Sequence, residues 1–420
     1  MDHKLLILGS MDEFVGLTQK SVARGYETFV CDGYNFGPAK RFADHSYNID
    51  IRNVEKIAAL IREEKIDGII SSFSDILFEY LVKIADLTGL KTYCSVEKSA
   101  YLRDKPKMKE MFEKLGVPFA KSRIFTSVPG ENDIAGLKAP LVMKPLDGYG
   151  SRGIFVVGSA KEIAERFNTT AGYSSDKKTV IVEEYNDGYE INMMNWVVDG
   201  EVHVISLADR EKSVEIKGDI PHVSRIAYPS RIMEHVYSDA REIVSKVAEY
   251  TGIKNGPLCM QFFYRPGDGI RVCECAGRIF GYEHELVEYG SGLAIEDLLL
   301  DYVYDEENIK TRLSGHDPFA FKNVAGLYFH GFEGKVTWSF DEAKKVIDSL
   351  GAIDHLFYYT KGEAICHEIG NTSYILRVFI GGQNRDDLDA LTNKYYDQMR
   401  VLDKDGKNVL YSSQMKEYDL

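Results

Sequence analysis

Between Pro140 and Val157 the chain reads PLVMKPLDGYGSRGIFVV, with glycines at 148, 150 and 153 and a lysine, Lys144, in the preceding apolar run. Backbone N–H groups that no side chain shields can approach a phosphate closely, and a nearby ammonium adds compact positive charge. The spacing fits G-x-G-x-x-G, but a dinucleotide fingerprint requires a helix after the loop. Ile154–Val157 is β-branched and aromatic, which predicts strand, loop, strand. A glycine hairpin with a lysine on its incoming strand suits a flap over a nucleoside triphosphate. An ordinary hairpin with a flexible turn fits the same residues. Lys144 is harder to explain as structure alone. It sits between Val142–Met143 and Pro145, and burying it unpaired would cost several kcal/mol.

The elements around this loop set its context. At 420 residues the chain predicts two to four domains, each with its own core. Hydrophobic content of 44% and charged content of 28% are those of an ordinary globular protein. The net charge of −14 argues against general affinity for nucleic acid or anionic membrane surfaces, though a local basic pocket could still hold phosphate. No apolar run reaches the length of a membrane span. The opening MDHKLLILGSMDEF reads as a first strand, not a secretion signal, and a cytoplasmic location is expected. The cysteines at 31, 94, 259, 273, 275 and 366 show no C-x-x-C pair and no zinc spacing, so reduced thiols are expected. Strand alternation would put Cys273 and Cys275 on one face and Glu274 on the other.

The first hundred residues alternate strand and helix. LLILG, ETFVCDG and DGIISS read as strands; Glu13–Arg24, Asn53–Glu64 and Phe78–Leu87 read as helices. That alternation predicts a parallel sheet with helices on both faces. The segment after Gly9 lacks the glycine-rich dinucleotide pattern. Lys105–Leu115 reads as a helix ended by Gly116 and Pro118. Thr179–Tyr185 and Glu190–Val198 read as strands. Asp239–Thr251 and Ile295–Tyr304 read as helices, and Leu258–Tyr264 with Ile270–Cys275 as a hairpin. After about Pro318 the chain is β-rich and ends in a helix near Asp386–Val401.

Five polar features therefore stand in order: Asp104–Lys105; Lys144 with the glycine loop; Glu183–Glu184–Tyr185–Asn186 with Glu190; Gln261; and Glu274 with Arg278. Individually, Lys105 fits a solvated lysine at a helix start, and Glu183 and Glu184 fit an exposed pair. The ordered set resembles the ATP-grasp superfamily, which includes biotin carboxylase, carbamoyl phosphate synthetase, purine-pathway ligases and D-alanine–D-alanine ligase. The resemblance covers about residues 5–315, and DGIISS followed by RDKPKMKEMFEKLGVP is similar to the approach to that catalytic core. It implies an α/β protein in three parts. An N-terminal parallel-sheet, pre-ATP-grasp domain occupies 1–98. A two-lobed ATP-grasp core occupies 99–315, with its small lid lobe at about 120–186. A β-rich α+β region occupies 316–420.

The resemblance also implies roles. Lys105 and Lys144 would contact ATP phosphates, with Gly148, Tyr149, Gly150, Ser151 and Gly153 closing over them. Glu183, Glu184, Tyr185 and Asn186 would form the adenine-reading hinge, where a strand end offers alternating donors and acceptors to a purine edge. Glu190 would hold the ribose hydroxyls. Gln261 and Glu274 would hold Mg²⁺, or Mn²⁺ in its place. The family's third metal position, an Asn, is Ala276 here. One anionic ligand remains, and substrate phosphates and water would have to supply the rest. Arg278 keeps the position used on the acyl phosphate.

The implied activity is ATP-dependent ligation of a small-molecule carboxylate to an amine through an acyl phosphate. ADP and phosphate would be the products, and a homodimer is allowed. Catalysis would rest on positioning and charge neutralisation. Biotin carboxylation ranks low, because Glu283 and Glu285 are offset from the expected base. The lack of a glutaminase or biotin-carrier segment favours small-molecule substrates. Two alternatives stay open: an ATP-binding protein with weak turnover and a regulatory or scaffolding use, and a purine-biosynthesis-like ligase. Tyr282, Glu283 and His284 are substrate-pocket candidates, as are His222 and Arg225 on an expected loop; each also fits a structural role.

Overall fold

The computed structural model describes residues 3–147, 153–213, 222–366, 374–411, 415–418 and 420. Strand β1 (Lys4–Leu8) is an unbroken apolar run whose last four residues are buried, as a central parallel strand requires. It pairs in parallel with β2 (Glu27–Asp32) on one side and β4 (Gly68–Ile70) on the other. The edge strand β3 (His45–Asn48) completes the order β3-β2-β1-β4. The sequence HSYN carries no apolar alternation and is largely exposed, so nothing in it announced an edge strand. Helices α1 (Val15–Ala23), α2 (Val54–Glu64) and α3 (Asp75–Thr88) flank this sheet. Asn53 caps α2 by accepting the Lys56 N–H, and Gly89 closes α3 in the left-handed conformation. Strand order reverses at β1, so the carboxyl ends of β1 and β4 flank a switch-point crevice.

Helix α4 (Val96–Ser99) leads to α5 (Lys105–Leu115), capped by Asp104 and ended by Gly116 as expected. A four-stranded antiparallel lobe follows: β5 (Ser122–Phe125), β6 (Leu141–Pro145), β7 (Phe155–Val157) and β8 (Val180–Glu184), in the order β5-β8-β6-β7. Strands β6 and β7, on either side of the glycine segment, pair antiparallel, with Leu141 opposite Val157. Helix α6 (Ala160–Gly172) packs Ile163 and Phe167 onto Met143, Val157 and Val182.

The third sheet holds β9 (Tyr189–Val198), β10 (Glu201–Lys212), β11 (Val223–Tyr228), β12 (Gly256–Pro257), β13 (Cys259–Arg265), β14 (Gly269–Ala276), β15 (Asn323–His330), β16 (Asp354–Phe357) and β17 (Tyr374–Gly382). Its order is β14-β13-β9-β10-β11-β15-β17-β16, with β12 on β9. The sheet therefore runs without a break into the C-terminal strands. Helix α7 (Met233–Thr251) starts six residues earlier than the sequence predicts. α8 (His284–Ser291), α9 (Ile295–Tyr304) and α10 (Glu306–Ser314) follow the β13–β14 hairpin. α9 ties the N-terminal sheet down, because Arg24 of α1 pairs with Asp297 and Asp301. α11 (Asp341–Leu350) and α12 (Arg385–Gln398) share a separate core with Ala227, Ala325 and Leu327. No helix among the described residues is long and apolar enough to cross a membrane.

Candidate active site

Directly opposed residues of an antiparallel sheet share a face. Glu274 opposes Gln261, and Gln261 opposes Asn192, so three oxygen-bearing side chains form a row across β14, β13 and β9. Glu190, two residues before Asn192, lies on the same face. Asp209 opposes Ile191, and Glu211 opposes Arg225, which places Asp209, Glu211 and Arg225 on the other face.

Two lysines from separate segments meet that row. Lys144 is almost buried and its Nζ lies 2.5 Å from Glu183 Oε1. Lys105, the first residue of α5, is within electrostatic reach of Lys144, Glu274, Arg103 and Asp75. Burial and the Lys144 ammonium push Lys105 below its usual pKa. Burial also works against the charge on Lys144, but Glu183 outweighs it and holds Lys144 above its usual range. Lys109, one turn along α5, reaches Glu183 Oε2 at 2.9 Å. Burial pushes the Glu183 carboxyl up, yet the two lysines dominate and hold it at about 2.

Arg278 follows β14. Its Nε and Nη2 each donate to Asp75, both at 2.9 Å, a bidentate pair between the core and the first residue of α3. Burial opposes both charges; the pair holds the Asp75 carboxyl below its usual range and the guanidinium above its own.

The hinge is drawn into the fold. Glu183 faces the lysines, and Glu184 Oε1 accepts the Lys138 N–H at 3.0 Å. The Glu184 and Tyr185 N–H groups donate to Lys121 and Pro140 carbonyls. Asn186 Oδ1 accepts the Gly188 N–H. Glu190 is 2% exposed, with Arg210 on one oxygen and Lys212 at 2.6 Å from the other. Gly148, Tyr149, Gly150 and Ser151 lie outside the described residues. Gly153 has φ +66°, and a Cβ there would fall 2.5 Å from Tyr173, so glycine is required.

The pocket candidates separate. Glu283 is 2% exposed; Asn192 Nδ2 donates to one oxygen at 2.5 Å and Tyr228 OH to the other at 2.6 Å. Burial holds its carboxyl above the usual range. Tyr282 is 37% exposed, and its ring meets that of Tyr374 edge to face. Arg225 departs from expectation. It lies on β11, not a loop, and on the face away from Glu190 and Asn192, paired with Glu211 and Asp389. His222 stacks on His330, with ring centroids 4.6 Å apart.

His284 is a structural imidazolium. Its Nδ1–H donates to the Gly281 carbonyl at 2.7 Å, so the Nε2 contact to Glu296 at 3.0 Å makes both nitrogens donors. Burial opposes that charge, but Glu285 and Glu296 push the pKa up to about 9. A pKa raised on folding stabilises fully below the ordinary 6.5 and fades as pH rises through about 9. The apparent unfolding midpoint should fall by a few degrees between pH 7 and 10, reflecting roughly 3 kcal/mol. His284→Gln should flatten that part of the profile.

Sequence reasoning missed Lys109, Asp75, Asn192, Tyr228, Arg210 and Lys212. Lys109 was findable, four residues after Lys105 on an amphipathic helix. Asp75 was findable as an acid where a parallel strand gives way to a helix. The cysteine expectation fails. Gln261 opposes Glu274 but Phe262 opposes Val272, so Cys273 is the extra residue of a β-bulge. The bulge breaks alternation and leaves Cys273 within reach of Glu190 and Lys144, while Cys275 turns to the Tyr101 carbonyl. Burial pushes the Cys273 thiol up to about 12.

Residues 137–284 match the family model described as an ATP-grasp domain. Among curated relatives, the formate-dependent phosphoribosylglycinamide formyltransferase of Sulfolobus acidocaldarius is 25% identical over 59% of this chain and 64% of its own length. The Methanocaldococcus jannaschii protein of the same name is 28% identical over 46% and 50%. The match thus spans about half to just under two thirds of those relatives. Among solved structures, the L-amino acid ligase of Bacillus licheniformis superposes with a TM-score of 0.79 at 16% identity, covering 96% of this chain and 99% of that one. The biotin carboxylase domain dimer of the Hydrogenobacter thermophilus 2-oxoglutarate carboxylase, solved with MgADP and bicarbonate, gives 0.72 at 16% identity, covering 96% and 91%. The chain thus carries an ATP-grasp domain at residues 137–284, within an α/β fold that it shares with those solved structures along nearly its whole length.

Proposed function

We propose that this protein is an ATP-dependent ligase that joins a small-molecule carboxylate to an amine. One observation carries the reading: two lysines from separate segments, Lys105 and Lys144, are held within electrostatic reach of each other and of Glu274. Like charges gathered in a partly buried site call for an anion with several negative charges. A triphosphate meets that demand. Glu274 and Gln261 are oxygen donors paired across β13 and β14, a set suited to a hard cation. They would hold Mg²⁺, or Mn²⁺ in its place, which would neutralise phosphoryl charge. Ala276, 5% exposed, adds no donor. No cluster of three or more His, Cys, Asp and Glu side chains suited to a metal occurs among the described residues.

In this reading a carboxylate oxygen attacks the γ-phosphorus and ADP leaves with the electron pair of the broken P–O bond. The amine nitrogen then attacks the acyl carbon. Phosphate leaves as the C–O bond breaks, and the surplus proton on nitrogen passes to solvent. Lys105, Lys144 and Arg278 offset charge on the transferring group. With the hinge side chains engaged in the fold, backbone carbonyls of residues 184–186 would meet the adenine amine. The glycine hairpin would cover the phosphates, and Glu190 would hold the ribose on release from Arg210 or Lys212. A cytoplasmic homodimer acting on small molecules, with no nucleic acid or membrane partner, belongs to the same reading.

Ala276 favours a second reading, in which ATP binds and turns over slowly. ADP release at saturating Mg²⁺, with carboxylate and amine panels, separates the two. Substrate-dependent ADP release that falls at least about 10²-fold in Glu274→Ala supports the ligase. Tight ATP binding with no substrate-stimulated release supports the second reading.

A further inference from the structure

The switch-point crevice at the carboxyl ends of β1 and β4 borders the segment after β14, where the Ile279 N–H donates to Ser72 Oγ and Glu283 accepts from Asn192 of the large sheet. Open α/β sheets take ligands at this position. After β1 come Asp12 and Glu13; after β4 comes Asp75, bound to Arg278. Glu13 lies close to Gly281, since a Cβ on that glycine would come 3.6 Å from Glu13 Cγ. The acyl-phosphate residue of the proposed mechanism therefore borders the crevice.

The charges in this crevice are unevenly matched. Each of its arginines has a carboxylate: Arg278 has Asp75, Arg377 has Glu285 at 2.7 Å, and Arg210 has Glu190. The acids Asp12, Glu13 and Glu283 have no ion-pair partner within 4.0 Å among the described residues. Tyrosine rings stand between them. Tyr282 and Tyr374 are 5.3 Å apart edge to face, and Tyr328 is 5.1 Å from Tyr374. Tyr282 is within electrostatic reach of Glu13 and Arg377, and Tyr374 of Glu283 and Arg210. Ring faces beside unmatched carboxylates suit an ammonium group.

Two unused hydrogen-bonding atoms supply an independent observation. Asn192 is 2% exposed, yet its Oδ1 has no donor among the described residues, while its Nδ2 is committed to Glu283. A buried acceptor of this kind is destabilising until a donor reaches it. Arg377 is 6% exposed, and its Nε has no acceptor among the described residues. The crevice thus offers one spare acceptor on Asn192 and one spare guanidinium N–H on Arg377, beside carboxylates without an ion-pair partner among the described residues.

We propose that the amine substrate of this site is a free α-amino acid, with ammonium and carboxylate. Its ammonium lies between Glu13 and Glu283 against Tyr282 and Tyr374, with Arg377 Nε on its carboxylate. The proposal rests on the ligase reading and names its substrate class. It sets this chain apart from relatives named for a phosphoribosylated amine.

The test is ADP release by the full-length protein with MgATP and two substrate sets. One is the common amino acids in pairs, each able to supply both carboxylate and amine; the other is glycinamide ribonucleotide with formate. Amino-acid pairs are expected to raise ADP release at least tenfold over ATP alone, with an amide-coupled product by mass spectrometry. Glycinamide ribonucleotide with formate is expected to leave the rate at that of ATP alone. Stimulation by the ribonucleotide set alone overturns the amino-acid assignment and leaves the ligase standing. Stimulation by neither set, with MgATP binding intact by calorimetry, also overturns the assignment. Absent MgATP binding removes the ligase reading and the assignment together. In Glu13→Gln the KM for the amine should rise about tenfold while the KM for ATP stays within twofold; an unchanged amine KM counts against the placement. Asn192→Leu, close in size, gives a second reading of the amine KM should Glu13→Gln fold poorly.

Discussion

Replacing Lys144 with methionine should lower kcat/KM for ATP by about 10³-fold or more and weaken nucleotide binding measured by calorimetry. The side chain does two things at once. It supplies one of two ammoniums gathered for a polyanion, and a charge preorganised in a dry site is worth several kcal/mol to a phosphoryl transition state. It also neutralises Glu183, which is almost buried and shared with Lys109. Removing one partner of a buried ion pair typically costs about 3–5 kcal/mol; Lys109 keeps the loss near the lower end. Lys144→Met should therefore lower the apparent unfolding midpoint as well as activity, and Lys144→Met with Glu183→Gln should recover stability without recovering activity. The sign of the pH dependence follows from the carboxylate. Its pKa falls from the ordinary 4.5 to about 2 on folding, so its contribution is complete above about pH 4.5 and is lost as pH drops through about 2. An unchanged kcat/KM in Lys144→Met would remove the phosphate role.

The elements that place this site were legible where the sequence pattern is local. The run LLIL, the cap Asn53 and the αL glycines at 89 and 116 fix β1, α2, α3 and α5 from short-range chemistry. The β13–β14 hairpin was legible for the same reason. Strands β10 and β11 were not, because their buried faces carry Asp209, Glu211 and Arg225, which read as loop residues until a cross-sheet network pairs them. The same limit hides most of the site. Lys105, Lys144, Gln261 and Glu274 could be named from order and residue type. Asn192 and Tyr228 carry meaning only through Glu283, 91 and 55 residues away. The bulge at Cys273 is set by register with β13, which no alternation rule within β14 contains.

The Arg278–Asp75 pair gives the second large effect, and two variants separate its parts. Arg278→Lys keeps a positive charge but cannot form the two-pronged contact, since an ammonium is a point charge with no planar fork. It should reduce kcat about 10²-fold with little change in the KM for ATP, because the guanidinium acts on the transferring group and not on the nucleotide already bound. Asp75→Asn keeps the size and one acceptor oxygen and removes the charge that orients Arg278. Its expected loss is smaller, about tenfold in kcat, again with the KM for ATP unchanged. The ordering matters more than either value. If Asp75 only pinned the N-terminal sheet to the core, Asp75→Asn would lower the unfolding midpoint and leave kcat alone. If it positions Arg278, the double variant Arg278→Lys with Asp75→Asn should be no slower than Arg278→Lys alone, since an orienting carboxylate has nothing left to orient. Fully additive losses in that cycle would show that Asp75 acts on the substrate by itself, as a fourth unmatched acid once the amine has drawn it away from the arginine.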